Sequence, residues 1–160
     1  MIYIGADHRG FSLKEVLKKH LSGKNIAFED MGAREYDEAD DYVDFAVLVS
    51  EKVSQNPCEH KGIGICGSGH GMDMVLNKFP GLRAALCLSK ERAIQSREHE
   101  DANILVLAAD DVNESDAKEI VDAWLKTPFT KEERLKRRLK KMEDIEIRNF
   151  NSTTHLECHD

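Results

Sequence analysis

The chain has 160 residues, 41% of them hydrophobic and 33% charged, with a formal net charge of −7. That length and apolar content fit one domain around one sizeable core, and the acidic balance argues against general binding to nucleic acid or to a membrane surface. Cys58, Cys66, Cys87 and Cys158 form no ladder and no CxxC pair, and no amino-terminal signal or long apolar run is present, so a reducing cytoplasm without disulfides or a membrane anchor is expected.

Apolar runs alternate with amphipathic stretches along the chain. Ile2-Tyr3-Ile4 reads as a strand, Phe11 to Leu21 as a helix, Ala27-Phe28 as a strand and Tyr42 to Val53 as a helix. A third strand runs into Cys66. Met72, Met74, Val75 and Phe79 then recur at helical spacing until Phe79-Pro80-Gly81 breaks the pattern. Arg83 to Leu88 reads as a strand, Lys90 to His99 as a helix, Asn103 to Leu107 as a strand and Ser115 to Leu125 as a helix. This succession of about five βα units predicts an α/β three-layer sandwich with a mostly parallel five-stranded sheet. Its ligand crevice is expected at the carboxyl ends of the strands. The domain is placed at residues 1–148, with a polar tail at 149–160.

The stretch Ile63-Gly64-Ile65-Cys66-Gly67-Ser68-Gly69-His70-Gly71 carries the most chemistry. An apolar strand runs into a thiol, then into three alternating glycines, and a helix follows. Such a junction offers unpaired backbone N–H groups and a positive dipole end to a ligand. A thiol at its lip is expected to be more acidic than a free one, and so to serve as a nucleophile or a base. The plainer alternative is a small buried hydrophobe at a tight turn. A dinucleotide loop requires G-x-G-x-x-G after the first strand and an acid ending the next, whereas this spacing is G-x-G-x-G after a middle strand. A phosphatase loop of the Cys-x5-Arg type would need arginine where Met72 stands.

Three further polar residues fall near strand ends or helix ends. Asp7 and His8 follow the first strand, at the expected crevice edge, where Asp7 also suits the role of a helix cap. His99 ends a polar helix, and on its own it reads equally as a solvated terminal histidine.

Taken together, Gly5-Ala6-Asp7-His8-Arg9-Gly10-Phe11, Asp41-Tyr42, Ile65 to Met72, Asn77 to Ala85 and Ser96-Arg97-Glu98-His99 resemble the ribose-5-phosphate isomerase B family. The likeness extends to about Ile147 and to the wider family that includes galactose-6-phosphate isomerase subunits. It implies a flavodoxin-like or Rossmann-like sheet, a homodimer with active sites at the interface, and cofactor-free, metal-free interconversion of a phosphorylated aldose and ketose. Cys66 matches the catalytic base and His99 the residue that helps open the sugar ring. Gly67, Ser68, Gly69, His70 and Gly71 match the loop that holds the enediolate oxygens. Asp7, Tyr42 and Glu100 fall at substrate-facing positions, while His8, Arg134 and Arg138 match the phosphate ligands. The four-residue spacing of the two arginines puts them on one helix face. Read without the resemblance, they belong to a solvated basic helix whose buried stripe is Leu135, Leu139 and Met142. Some relatives use a glutamate as base at the position of Met72, which cannot take a proton.

Three positions depart from the family pattern. Glu100 replaces a common asparagine, Asp110 an arginine that contacts substrate, and Leu135 a histidine. An unpaired carboxylate repels a phosphate, so a different sugar phosphate, such as a hexose 6-phosphate, and a non-catalytic sugar-phosphate sensor are the competing expectations. A nucleic-acid contact along Arg134 to Lys141 is disfavoured by the net charge and by the lack of interleaved aromatics. His155, Cys158 and His159 in the tail have metal-ligand chemistry but no fixed scaffold, and no metal role is assigned to them.

Overall fold

A computed structural model of the chain describes residues 1–150. Strands β1 (Ile2–Ala6), β2 (Phe28–Asp30), β3 (Lys61–Cys66), β4 (Ala84–Leu86) and β5 (Ile104–Ala108) alternate with helices α1 (Phe11–Gly23), α2 (Tyr42–Val53), α3 (His70–Leu76), α4 (Lys90–Glu100) and α5 (Glu114–Lys126), and α6 (Glu133–Phe150) follows. The five strands form one sheet in the order β2-β1-β3-β5-β4, and every pairing in it is parallel. The order departs from the doubly wound 2-1-3-4-5 pattern because β5 inserts between β3 and β4. The chain leaves β1 for β2 on one side and returns to β3 on the other. The topological switch point therefore lies between the carboxyl ends of β1 and β3.

β1 and β5 are buried along their whole length, as is β3 after Lys61, which is why they read as near-continuous apolar runs. On one face, α1 contributes Leu13, Leu17 and Leu21, α4 contributes Ala93, and α5 contributes Ile120, Val121 and Trp124, against Ile4, Ile63, Ile65, Leu105 and Leu107. On the other, Ala46, Val49 and Val53 of α2 and Met72 and Leu76 of α3 cover Tyr3, Ile104 and Val106. Gly64 permits this second layer to close, since a Cβ there would lie 2.8 Å from Met72 Cγ. The two helical layers and the sheet make the expected sandwich.

Side-chain caps fix several helix starts. Asp41 accepts from Val43 N–H at 3.1 Å at the start of α2, and Asn113 accepts from Asp116 N–H at 3.0 Å at the start of α5. The buried face of α3 is Met72 and Leu76, and Met74 points outward at 65% exposure, because only i to i+4 spacing returns to the sheet on so short a helix. Met142 is likewise 40% exposed, so the buried stripe of α6 is Leu135 and Leu139. Cys66 and Cys87 are free thiols. No helix among the described residues is long and apolar enough to cross a membrane. Of the expected tail, residues 149 and 150 continue α6 and the remainder lies outside the described residues.

Candidate active site

Cys66 closes β3, paired in register with Ala108 of β5. The chain then turns through Gly67-Ser68-Gly69 into α3, with Gly69 in the left-handed region at φ +78°. A side chain there is strained by its backbone and would collide with Leu86. The turn directs the backbone N–H groups of Gly69 and Met72 at the Cys66 sulfur. These donors favour the thiolate, as the loop's sequence suggested, but the thiol is only 5% exposed. Burial outweighs them and pushes the thiol above its ordinary value, opposite to the sequence expectation. Asp7 pushes it the same way, and Arg9 opposes.

The loop from β1 to α1 forms the neighbouring wall. Asp7 is buried, and its Oδ1 accepts from Gly10 N–H at 2.9 Å. The carboxylate thus closes the turn ahead of α1, whose N-cap is Gly10 with no side-chain cap bond. Burial raises the Asp7 pKa. His8 donates its backbone N–H to Asp40 Oδ1 at 2.8 Å, and its Nδ1 lies 2.8 Å from the same oxygen. That hydrogen bond raises the His8 pKa, favouring the imidazolium. The ring's Nε2 has no hydrogen-bond partner among the described residues. Tyr42, the first residue of α2, lies over Gly71, where a Cβ would sit 2.5 Å from its Cζ. Ser68 on the loop and His70 at the start of α3 are exposed. Asp7, His8, Tyr42 and the loop from Gly67 to Gly71 are therefore gathered with Cys66 at one mouth of the sheet.

His99, Glu100, Arg134 and Arg138 are elsewhere. α4 runs back from the carboxyl ends of the strands, so His99 and Glu100 arrive at the amino edge. Arg83, the residue before β4, donates from Nε to the carbonyls of Glu100 and Asp101 at 3.0 Å each, which fixes that end of the helix. The Thr130 hydroxyl donates to Glu98 O at 3.0 Å, which holds the start of α6 to the same edge. Arg134 and Arg138 are exposed on α6, with Arg134 Nε 2.6 Å from Glu132 Oε2. At about 3.3 Å per residue the length of β5 alone separates the two edges by roughly 13 Å. Within one chain Cys66 and His99 do not meet. A cleft of about 490 Å³ opens between β4, α4 and α6 at this second edge, lined by Leu82, Leu139, Ile145 and Phe150 and bordered by Glu100. It holds mainly apolar side chains, whereas the convergent donors lie at the Cys66 mouth.

A family model described as Ribose/Galactose Isomerase matches residues 2–142. The chain belongs to this family. It is 42% identical over 128 residues to a probable ribose-5-phosphate isomerase B of Mycoplasma genitalium, covering 80% of this chain and 84% of the relative. It is 36% identical over 138 residues to ribose-5-phosphate isomerase B of Mycobacterium tuberculosis, covering 86% and 85%. The crystal structure of ribose-5-phosphate isomerase B from Mycoplasma genitalium with bound ribulose-5-phosphate superposes with a TM-score of 0.88 at 41% identity, covering 91% of this chain and 95% of that one. The Clostridium thermocellum ribose-5-phosphate isomerase B structure gives a TM-score of 0.86 at 41% identity, covering 92% and 97%.

Two charged residues at the mouth were not singled out by sequence. Asp40 adjoins Asp41, whose position one residue before α2 absorbs the capping signal and hides its neighbour. Arg9 lies inside the motif that carries Asp7 and His8, but its partner Asp110 is 101 residues away, and no local pattern links them.

Proposed function

We propose that this protein interconverts ribose 5-phosphate and ribulose 5-phosphate as an aldose–ketose isomerase, in the cytoplasm, at a site shared by two copies of the chain. The observation that carries the reading is a thiol at the topological switch point, with the backbone N–H groups of Gly69 and Met72 directed at its sulfur. Family membership supports it, as do the names of the relatives and the ribulose-5-phosphate in one of their structures.

The chemistry follows from the layout. The Cys66 thiolate removes the proton from the carbon next to the carbonyl, leaving an enediolate and a neutral thiol. Donors of the Gly67 to Gly71 loop hold the developing oxyanions, and the low dielectric of the closed crevice strengthens each contact. The proton of the adjacent hydroxyl passes to the former carbonyl oxygen, and the thiol returns its own proton to the former carbonyl carbon, which completes the exchange of aldehyde and ketone. Ring opening needs an acid and a base at the ring oxygen and hydroxyl, the role assigned to the partner subunit's His99. His8 of one subunit and Arg134 and Arg138 of the partner subunit hold the phosphate, the arginines as guanidinium forks.

A two-fold dimer gives each thiol edge a second edge from the other subunit, making two equivalent sites. Met142, Ile145 and Phe150, exposed beside the cleft along α6, are surface of the kind an identical subunit covers. The test is incubation with pentose and hexose phosphates in deuterated water, with NMR following exchange at C1 and C2. The wild type should exchange and isomerise ribose 5-phosphate. Cys66→Ala should lose roughly 10²- to 10⁴-fold in turnover with little change in melting temperature. Near-normal turnover in Cys66→Ala sinks the thiol as base, and binding without exchange in the wild type makes the protein a sugar-phosphate sensor.

A further inference from the structure

We infer that Arg9 is a substrate-contacting residue of this site, donating to neighbouring hydroxyl oxygens of the sugar chain, and that Asp110 is the residue that positions it. The inference deepens the reading of the Cys66 mouth as a sugar-phosphate site and rests on it.

Three loops meet at this point. Arg9 comes from the loop after β1, Gly67 from the loop after β3 and Asp110 from the loop after β5. The Arg9 guanidinium lies so close to Gly67 that a Cβ there would stand 2.5 Å from both Cζ and Nε. A side chain at Gly67 would displace the guanidinium from this position. Arg9 Nη2 donates to Asp110 Oδ2. Asp110 is itself tied to the thiol's strand end, since its N–H donates to Gly67 O at 3.0 Å and the N–H of Ala109 donates to Cys66 O at 2.9 Å. The carboxylate is thereby held at a fixed place beside the thiol loop, and the guanidinium with it.

The pair faces the open mouth, with side chains 55% and 44% exposed. An exposed ion pair adds little to fold stability, so its main consequence is the placement of the guanidinium. Of the five N–H donors of a guanidinium, one is taken by Asp110, and the others have no partner among the described residues. Rigid, planar and permanently charged, this fork matches two adjacent oxygens of a polyol chain. Its charge also favours the Cys66 thiolate. Asp110 is thus not a bare carboxylate facing an anionic substrate, as the sequence alone suggested, because Arg9 neutralises it.

The test is calorimetric titration of the full-length protein with ribulose 5-phosphate and, separately, with inorganic phosphate. Arg9→Met should weaken ribulose 5-phosphate binding by about 10- to 100-fold and leave inorganic phosphate unchanged, because the lost contact is to the sugar. Asp110→Asn should weaken the sugar phosphate less. The double variant should be no worse than Arg9→Met, since a residue acting through Arg9 has no effect without it. Arg9→Ala should recover affinity when guanidinium ion is added, which a purely structural loss would not allow. Wild-type affinity in Arg9→Met overturns the inference. So does an additive loss in the double variant, or tighter binding in Asp110→Asn. Wild-type binding without turnover would refute the isomerase reading while the Arg9 comparison still reads out, and turnover with a silent Arg9→Met would refute the Arg9 role alone.

Discussion

Asp40 Oδ1 takes two hydrogen bonds from His8, from the backbone N–H and from Nδ1, while Asp40 Oδ2 is buried with no hydrogen-bond partner. The arrangement fixes the ring and, with Asp7 adding to it and Arg9 opposing, raises the His8 pKa above its ordinary 6.5. In the proposed role of His8 as a phosphate ligand, an imidazolium with a raised pKa keeps binding at higher pH. In Asp40→Asn the midpoint of the affinity–pH profile for inorganic phosphate should move down toward the ordinary value, and an unmoved midpoint removes Asp40 from the site's chemistry. The sign for stability follows by linkage. A folded pKa above the unfolded one contributes stability that is fully present below 6.5 and is lost as pH rises through the folded value. The melting-temperature gap between wild type and Asp40→Asn should therefore be widest below pH 6.5 and narrow as pH rises above it. If Cys66 is the base, as proposed, it titrates in the opposite sense for function, because a base acts as the thiolate. Alkylation of Cys66 by iodoacetamide should rise about tenfold per pH unit and level off above 9.0, the ordinary thiol value. An inflection below that value would show that the two N–H donors outweigh burial.

At the scale of elements, the strand-to-helix junction at Cys66 depends on one backbone conformation. Gly69→Ala puts a Cβ at φ +78° and against Leu86. It should cost about 1–2 kcal/mol from the left-handed backbone alone, with more from the clash. Gly69→Ala/Leu86→Ala should remove the clash and keep the backbone cost, and thermal unfolding of both variants separates the two. An unchanged melting temperature in Gly69→Ala would mean that the turn has another conformation. This junction was legible because a strand, a thiol, glycines and a helical period stand in one short run. α2 was legible to the residue because Asp41 caps it and Val53 is its last buried position. The order of the sheet was not, since β4 and β5 both read as short apolar strands and only tertiary packing puts β5 in the middle. The direction of the Cys66 pKa was not either, because the sequence displays the donors but not how deeply the thiol is buried. Long-range pairs such as His8 with Asp40 and Arg9 with Asp110 carry no local signal at all, although they set the charge of the mouth.

For the whole molecule, the division of the expected site residues between two edges of one sheet makes a specific demand on assembly. A monomer presents Cys66 and its loop at the carboxyl edge and His99, Arg134 and Arg138 at the amino edge, and the strands between them are too rigid to bring the groups together. If two copies share each site, Cys66→Ala and His99→Asn spoil different contributions and should complement each other. In a heterodimer of the two, one site receives Cys66 from the His99→Asn chain and His99 from the Cys66→Ala chain, and is intact. The other site lacks both. Equal amounts unfolded together and refolded give half heterodimers with one good site of two, so activity on cyclic ribose 5-phosphate should return to about a quarter of wild type. Sedimentation should show a dimer for the wild type, both single variants and the mixture, so that complementation is not confused with assembly. If each chain instead closes its own site, both variants remain inactive in every combination and the mixture stays at their mean. A mixture of correctly sized dimers without recovered activity would exclude the shared site.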